Sequence, residues 1–348
     1  MNNLNLISNE PLTRSTEFRI KPSWGIESQN KNVEMLEGIC DYFINRMNHE
    51  TIESKSPVWD INVQLHGEII EYIKIRDYDN MFDYMKKLFA KDITHGTAGG
   101  AEQYHNLSSN KSVYDSYLVL IFDKMLCLYQ QLGFLPPFNP ENYAFTRKQD
   151  AYSKIDPNEI FRNIHAQFGN LDVSAPKYSG GALGIETQFG IYTERDIMSL
   201  SIALEVSRKY ADKNIKICEI GGGVGHLAYY LHKLGFTNIS IVDLPTVSVS
   251  QMYFLGDNLG KNDIKLLSPD EFTGKYDLVL NVDSLPEMGE PTAKGYIDLI
   301  TQNSNHFISI NHEDNERGFS VNSLCNMKKV CRFPFWLRRG YLWEEFVA

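Results

Sequence analysis

The chain has 348 residues, 44 of them acidic and 34 basic, for a formal charge of −10. It is 43% hydrophobic and 22% charged, which excludes the disordered classes and leaves ample apolar material for a large core. So acidic a balance also argues against nucleic acid as a partner, because neutralising phosphates takes a broad basic surface.

The length is about twice that of a typical domain, so two domains are expected. Five cysteines (Cys40, Cys127, Cys218, Cys325 and Cys331) are scattered with no CxxC pair, the pattern of reduced thiols in a cytoplasmic protein. The opening MNNLNLISNEPLTR has no charged stretch leading into an apolar one, so no signal peptide is expected. The most apolar segment, Tyr117 to Leu135, is interrupted by Asp123 and Lys124, which argues against a membrane span. A soluble, cytoplasmic protein is expected.

From about Lys31 to Gln131 apolar residues recur at helical spacing. Met35, Ile39, Tyr42, Phe43 and Met47 mark one face, and Ile69, Ile70, Ile73, Met81, Tyr84, Met85 and Leu88 mark the following ones. A longer helix is expected over Ser112 to Leu132, capped by Ser112 and stopped by Gly133 ahead of Pro136 and Pro137. Two glycine-rich stretches punctuate this part, His95 to Gln103 and Tyr178 to Gly190. Glycine allows close backbone approach, so either suits a substrate loop as well as a plain connector; the second is read as a lid near 178–190. Residues 1–190 therefore read as a mainly helical region that shapes an acceptor site.

From about Tyr192 helix and strand alternate. Thr193 is placed to cap a helix through Ile197, Leu200, Ile202, Leu204 and Val206. Apolar runs follow at Ile215–Ile220, Ile239–Val242, Ile264–Leu267, Tyr276–Val282 and His306–Ile310. Helical stretches such as His226–Leu234 and Thr246–Asn258 separate most of them. Buried strands with helices between them predict an α/β, doubly wound, mostly parallel sheet over 191–348.

The sharpest motif is ICEIGGGVGH, from Ile217 to His226. A strand ends at Glu219-Ile220, and Gly221, Gly223 and Gly225 then let the backbone pass close to a ligand at the sheet's carboxyl edge. A dinucleotide fingerprint needs glycine where His226 stands, and the Glu219 carboxylate would repel a pyrophosphate. The same carboxylate suits the ammonium of S-adenosylmethionine (SAM). Asp243 ends the next strand, where an acid can accept hydrogen bonds from both ribose hydroxyls, or simply cap the following helix. Asp270 follows the third strand, as an acceptor for an adenine amino group or as a turn residue.

The fourth run brings Asn281, Asp283, Ser284 and Glu287 to the same edge, and the fifth brings His312, Glu313 and Asp314. Methylating a hydroxyl needs a base and tight alignment, for which Asp283 and His312 are the candidates. Asp283, Glu313 and Asp314 could also supply oxygen ligands to Mg²⁺. The segment RFPFWLRRGY, from Arg332, mixes aromatics with arginines that could stack on a sugar or hold a diphosphate. The simpler reading is a closing β-hairpin with solvent-facing arginines.

Together, ICEIGGGVGH, IVDLP and DLVLNVDSLPEM resemble the SAM-dependent class I methyltransferases, whose domain is Rossmann-like. NVDSLPEM and RFPFWLRRGYLWEEF are similar to the bacterial sugar O-methyltransferases of surface-polysaccharide biosynthesis. That resemblance implies SAM as cofactor, with its methionine part on Glu219, Gly221, Gly223 and Gly225 and its ribose on Asp243. Asp283 would lie near the transferred methyl group, and the partner would be a sugar or nucleotide-linked sugar. A histidine directly after the fourth strand, where many small-molecule O-methyltransferases keep their base, is missing. Two rivals stand beside this reading: a dinucleotide-dependent oxidoreductase and a non-catalytic binding module on the same fold.

Overall fold

The structure, a computed structural model, describes residues 20–47, 64–136, 152–169, 171–313 and 319–348. Strand β1 (Lys21–Trp24) precedes six helices: α1 (Val33–Met47), α2 (Gly67–Lys74), α3 (Tyr78–Met85), α4 (Ala101–Ser109), α5 (Lys111–Gln131) and α6 (Pro157–Gln167). The helical periodicity is explained by burial. Helix α1 buries Leu36, Ile39, Cys40 and Phe43, while Met47 at its end is half exposed. The cap of α5 is Asn110 rather than Ser112: its Oδ1 accepts from the amides of Ser112 and Val113, because an Asn carbonyl reaches those donors from just outside the helix.

The region before residue 190 is not wholly helical. Strands β2 (Leu183–Thr187) and β3 (Gly190–Tyr192) form a hairpin, and β1 pairs antiparallel with β2, Lys21 opposite Glu186 at a separation of 165 residues. The stretch expected as a lid is thus built into a small sheet, with every residue of β2 buried except half-buried Glu186. Paired backbone and buried side chains hold it in place.

Then come α7 (Glu194–Lys209), β4 (Ile217–Ile220), α8 (His226–Lys233), β5 (Ile239–Val242), α9 (Pro245–Leu259), β6 (Lys265–Leu267), β7 (Leu278–Val282), α10 (Glu290–Asn303), β8 (His306–His312), α11 (Val321–Leu324), β9 (Lys328–Pro334) and β10 (Tyr341–Val347). Thr193 caps α7 in a capping box with Asp196, as its position before the helix predicts. The seven strands run in the order β6-β5-β4-β7-β8-β10-β9. β4 through β8 are parallel, and the β9–β10 hairpin closes the edge antiparallel to β8. The fold is a Rossmann-like α/β sheet, with its switch point between β4 and β7.

Strand parity divides the core. Ile217, Ile239, Ile241, Leu278 and Leu280 face the larger cluster, which includes α7, α8 and the helices of the first half. Cys218, Ile220, Val242, Val279 and Phe307 face a smaller one with α10 and α11. The first-half helices share their core with the sheet: α1 packs on α9, and α5 on α7.

Candidate active site

Strand β4 delivers Glu219 and the glycine loop to the sheet's carboxyl edge. The Gly221 amide donates to Val242 O at 2.9 Å, holding the loop beside β5. Gly221 has φ +72°, and a Cβ there would run into the Ser284 side chain, so only glycine fits. Gly225, at φ +103°, starts α8 and does not line the cleft. Its left-handed backbone is what the turn into α8 requires.

Glu219 is 3% exposed, and its Oε2 has no hydrogen-bond partner among the described residues. Burial, reinforced by the charge of Asp243, pushes its pKa up to about 8. Asp243 is fixed more firmly: its Oδ1 accepts from the Leu244 amide at 2.9 Å and its Oδ2 from Gln251 Nε2 at 2.9 Å. The same Gln251 nitrogen donates to Gly223 O at 2.9 Å, tying the acid to the loop. Burial nevertheless raises Asp243 to about 7. Two acids that resist ionisation thus face one cleft, and a cationic hydrogen-bond donor would satisfy both.

The cleft is half open to solvent and its cavity volume is about 90 Å³. Its second wall is one face of α7, with Arg195, Met198, Ser199 and Ile202 at spacings of three and four. Gly96 and Thr97, from the first glycine-rich stretch, complete the rim. At the end of β7, Asp283 takes a left-handed backbone conformation, φ +66°, uncommon for a residue other than glycine. Its Oδ2 accepts from Arg338 Nη1 at 2.7 Å and its Oδ1 from the Tyr341 hydroxyl. Arg338 also stacks on the Tyr341 ring, 4.0 Å from its centroid. The RFPFWLRRGY segment is indeed the closing hairpin, but Arg338 points inward to the site, not to solvent.

Several expected site residues are absent from the cleft lining. Asn281 is fully buried; its Nδ2 donates to Ile220 O at 2.9 Å and to Ser284 Oγ, and its Oδ1 accepts from Asn311, so it braces the loop from behind. Asp270 is exposed in a short 3-10 turn, accepting from Ser268 Oγ at 2.6 Å. The turn reading is the one the geometry gives it. His312 stands at the end of β8 against the Tyr341 ring, outside the cleft wall. Glu313 is bound by Arg332 at 2.6 Å, and Asp314 lies outside the described residues. Among the described residues no three metal-ligating side chains come together.

Sequence reasoning missed Arg195 and Thr97, which packing carries to the cleft, and Gln251, which ties Asp243 to the glycine loop. It also missed a buried network beside it. Tyr178 Oη lies 2.5 Å from Asp196 Oδ2, 3.0 Å from Thr193 Oγ1 and 2.8 Å from His226 Nε2. Burial and the nearby Arg195 charge keep His226 neutral, with its pKa lowered to about 3. The one available signal was that Thr193 already read as a cap.

No protein-family model matches the chain, and no curated protein matches it. Among solved structures it is similar to magnesium protoporphyrin IX methyltransferase from Synechocystis PCC 6803 with bound SAM, at 14% identity and TM-score 0.36, over 44% of this chain and 82% of that one. A glycopeptide N-methyltransferase complexed with S-adenosyl-L-homocysteine matches at 13% identity and TM-score 0.37, over 43% and 90%. A mitomycin 7-O-methyltransferase matches at 17% identity and TM-score 0.35, over 44% and 56%. Among the described residues no helix is long and apolar enough to cross a membrane.

Proposed function

We propose that this chain is a SAM-dependent methyltransferase acting on a hydroxyl of a sugar, within bacterial surface-polysaccharide synthesis. The observation that carries the cofactor is Glu219 Oε2, a buried carboxylate oxygen left without a partner beside a glycine loop. In this reading Glu219 takes the cofactor's ammonium, Asp243 takes the ribose hydroxyls, and Gly221 to Gly223 allow its close approach. Bound SAM supplies a methyl group activated by its sulfonium. A pyrophosphate would meet the Glu219 carboxylate instead of bare amides, which disfavours the dinucleotide reading.

The acceptor half of the proposal rests on the resemblance in NVDSLPEM and the closing hairpin. Of the two candidate bases, Asp283 lines the cleft and His312 does not. Each Asp283 oxygen already accepts one hydrogen bond, from Arg338 or Tyr341, and keeps a further lone pair with which to accept from a hydroxyl. Its role is accordingly to orient the acceptor hydroxyl and take its proton.

Calorimetric titration with S-adenosylhomocysteine tests the cofactor. One-site binding that is lost in Asp243→Ala, with no binding of NAD, is expected. NAD binding, or no S-adenosylhomocysteine binding by folded protein, overturns the proposal. Turnover with sugar acceptors then separates an enzyme from a silent module.

A further inference from the structure

Four acids line the cleft: Glu219, Asp243, Asp283 and Glu287. Against them stands Arg195, the only lysine or arginine in that lining among the described residues. It sits in the first turn of α7, on the helix face that forms the cleft's second wall. The residues on either side of it are already matched. Glu194 is held by Lys124 of α5 at 2.8 Å. Asp196 accepts from the hydroxyls of Tyr178 and Tyr230 at 2.5 and 3.1 Å. Those pairings pin the start of α7. Among the described residues the half-buried Arg195 guanidinium has neither a hydrogen bond nor an ion pair.

Glu219 faces the same cleft in the same condition with the opposite charge: buried, with Oε2 unpartnered among the described residues. An ion withdrawn from water and left unmatched has lost hydration that nothing in the protein replaces. Two such groups line one cleft from separate elements, α7 and β4, without meeting each other. A ligand carrying both charges satisfies both at once. In an α-amino acid the ammonium and the carboxylate hang from one carbon, so an ammonium on Glu219 brings its carboxylate into the same cleft. That carboxylate then has three further acids around it, and Arg195 is the cation that offsets them. A guanidinium fork also matches the two oxygens of a carboxylate.

We propose that Arg195 binds the carboxylate of the cofactor's amino-acid end, so that Arg195 and Glu219 together read an α-amino-acid zwitterion. This rests on the SAM reading of the cleft. It adds to that reading a binding residue and a selectivity, since an adenosyl thioether lacking either charge binds poorly.

Calorimetric titration of the full chain with three ligands tests it. They are S-adenosylhomocysteine, its decarboxylated analogue, which keeps the ammonium, and its deaminated analogue, which keeps the carboxylate. The native protein is expected to bind S-adenosylhomocysteine about tenfold or more tighter than either analogue. Arg195→Gln should erase the gap to the decarboxylated analogue and keep the gap to the deaminated one. Glu219→Gln should do the reverse. Arg195→Lys, a cation without the fork, should keep part of the carboxylate preference.

A residue with a merely structural role would weaken all three ligands alike, and that result in Arg195→Gln overturns the proposal. So does native protein that binds S-adenosylhomocysteine and the decarboxylated analogue equally, a comparison that needs no variant. Unchanged S-adenosylhomocysteine affinity in Arg195→Gln is equally contrary, and would leave Arg195 to the acceptor. If the native protein binds none of the three, the cofactor reading itself falls and this inference with it.

Discussion

Two buried acids, Asp196 on α7 and Glu219 on β4, are treated oppositely by the fold. Asp196 is fully buried and receives hydrogen bonds from Tyr178 Oη, Tyr230 Oη, and the amide and hydroxyl of Thr193. Glu219 is almost as buried, yet one of its oxygens has no partner among the described residues. Burial raises the pKa of both, to about 6 for Asp196 and about 8 for Glu219. The less saturated acid shifts further. An acid matched within the protein braces the structure, whereas one left unmatched at a cleft is matched by what enters it.

The largest effect should come from breaking the matched side. Asp196→Ala leaves the donors of Tyr178, Tyr230 and Thr193 buried without an acceptor, and should reduce stability by about 3–5 kcal/mol. Urea denaturation measures it; a variant as stable as the native protein would mean that the network is slack.

On the unmatched side, Glu219→Gln should weaken S-adenosylhomocysteine about 10- to 100-fold by removing a charge-assisted hydrogen bond. The ligand-free protein should be no less stable than the native one at pH 8. Parallel calorimetry and thermal melting check this, and a variant that loses stability but keeps affinity would reverse the comparison.

The pH response sharpens the same contrast. Glu219 and Asp243 have folded pKa values of about 8 and about 7, above their usual 4.5 and 3.8. The folded state therefore holds more protons than the unfolded one, and the stabilisation they give at low pH is lost as pH rises through those values. Between pH 6.5 and 8 the ligand-free protein should lose about 2 kcal/mol, and Glu219→Gln should flatten most of that slope. His226, lowered to about 3, acts in the opposite sense below its usual 6.5, which is why the window begins there. In the same window a cationic ligand should release protons on binding, visible as a dependence of the titration heat on the buffer. The smallest effect is expected from Asp270→Asn: exposed and outside the cleft, it should change S-adenosylhomocysteine affinity by less than about twofold.

Much of the sheet was legible because its signals are local. Apolar runs ending in an acid or glycine marked β4, β5 and β7 within two residues, and Thr193 announced α7. Glu219 and Asp243 followed from those strand ends. Asp270 and His312 lie outside the cleft lining for different local reasons. The 3-10 turn sends Asp270 outward, and the β9–β10 hairpin stands beside His312. The β2–β3 hairpin was hidden because its partner, β1, lies far away in the chain.

What the amino-acid sequence determined by itself was the alternating α/β half, its glycine loop and the acids that flank it. Strand periodicity, positive-φ glycines and capping pairs act over a few residues, so they can be read in order along the chain. Tertiary structure alone decided that Asp283 would be held by Arg338 and Tyr341, that Asp196 would be saturated while Glu219 was not, and that Arg195 would line the cleft. Each of those depends on side chains from separate elements meeting in one place. Such meetings are set by how a whole core closes, and no local pattern encodes them.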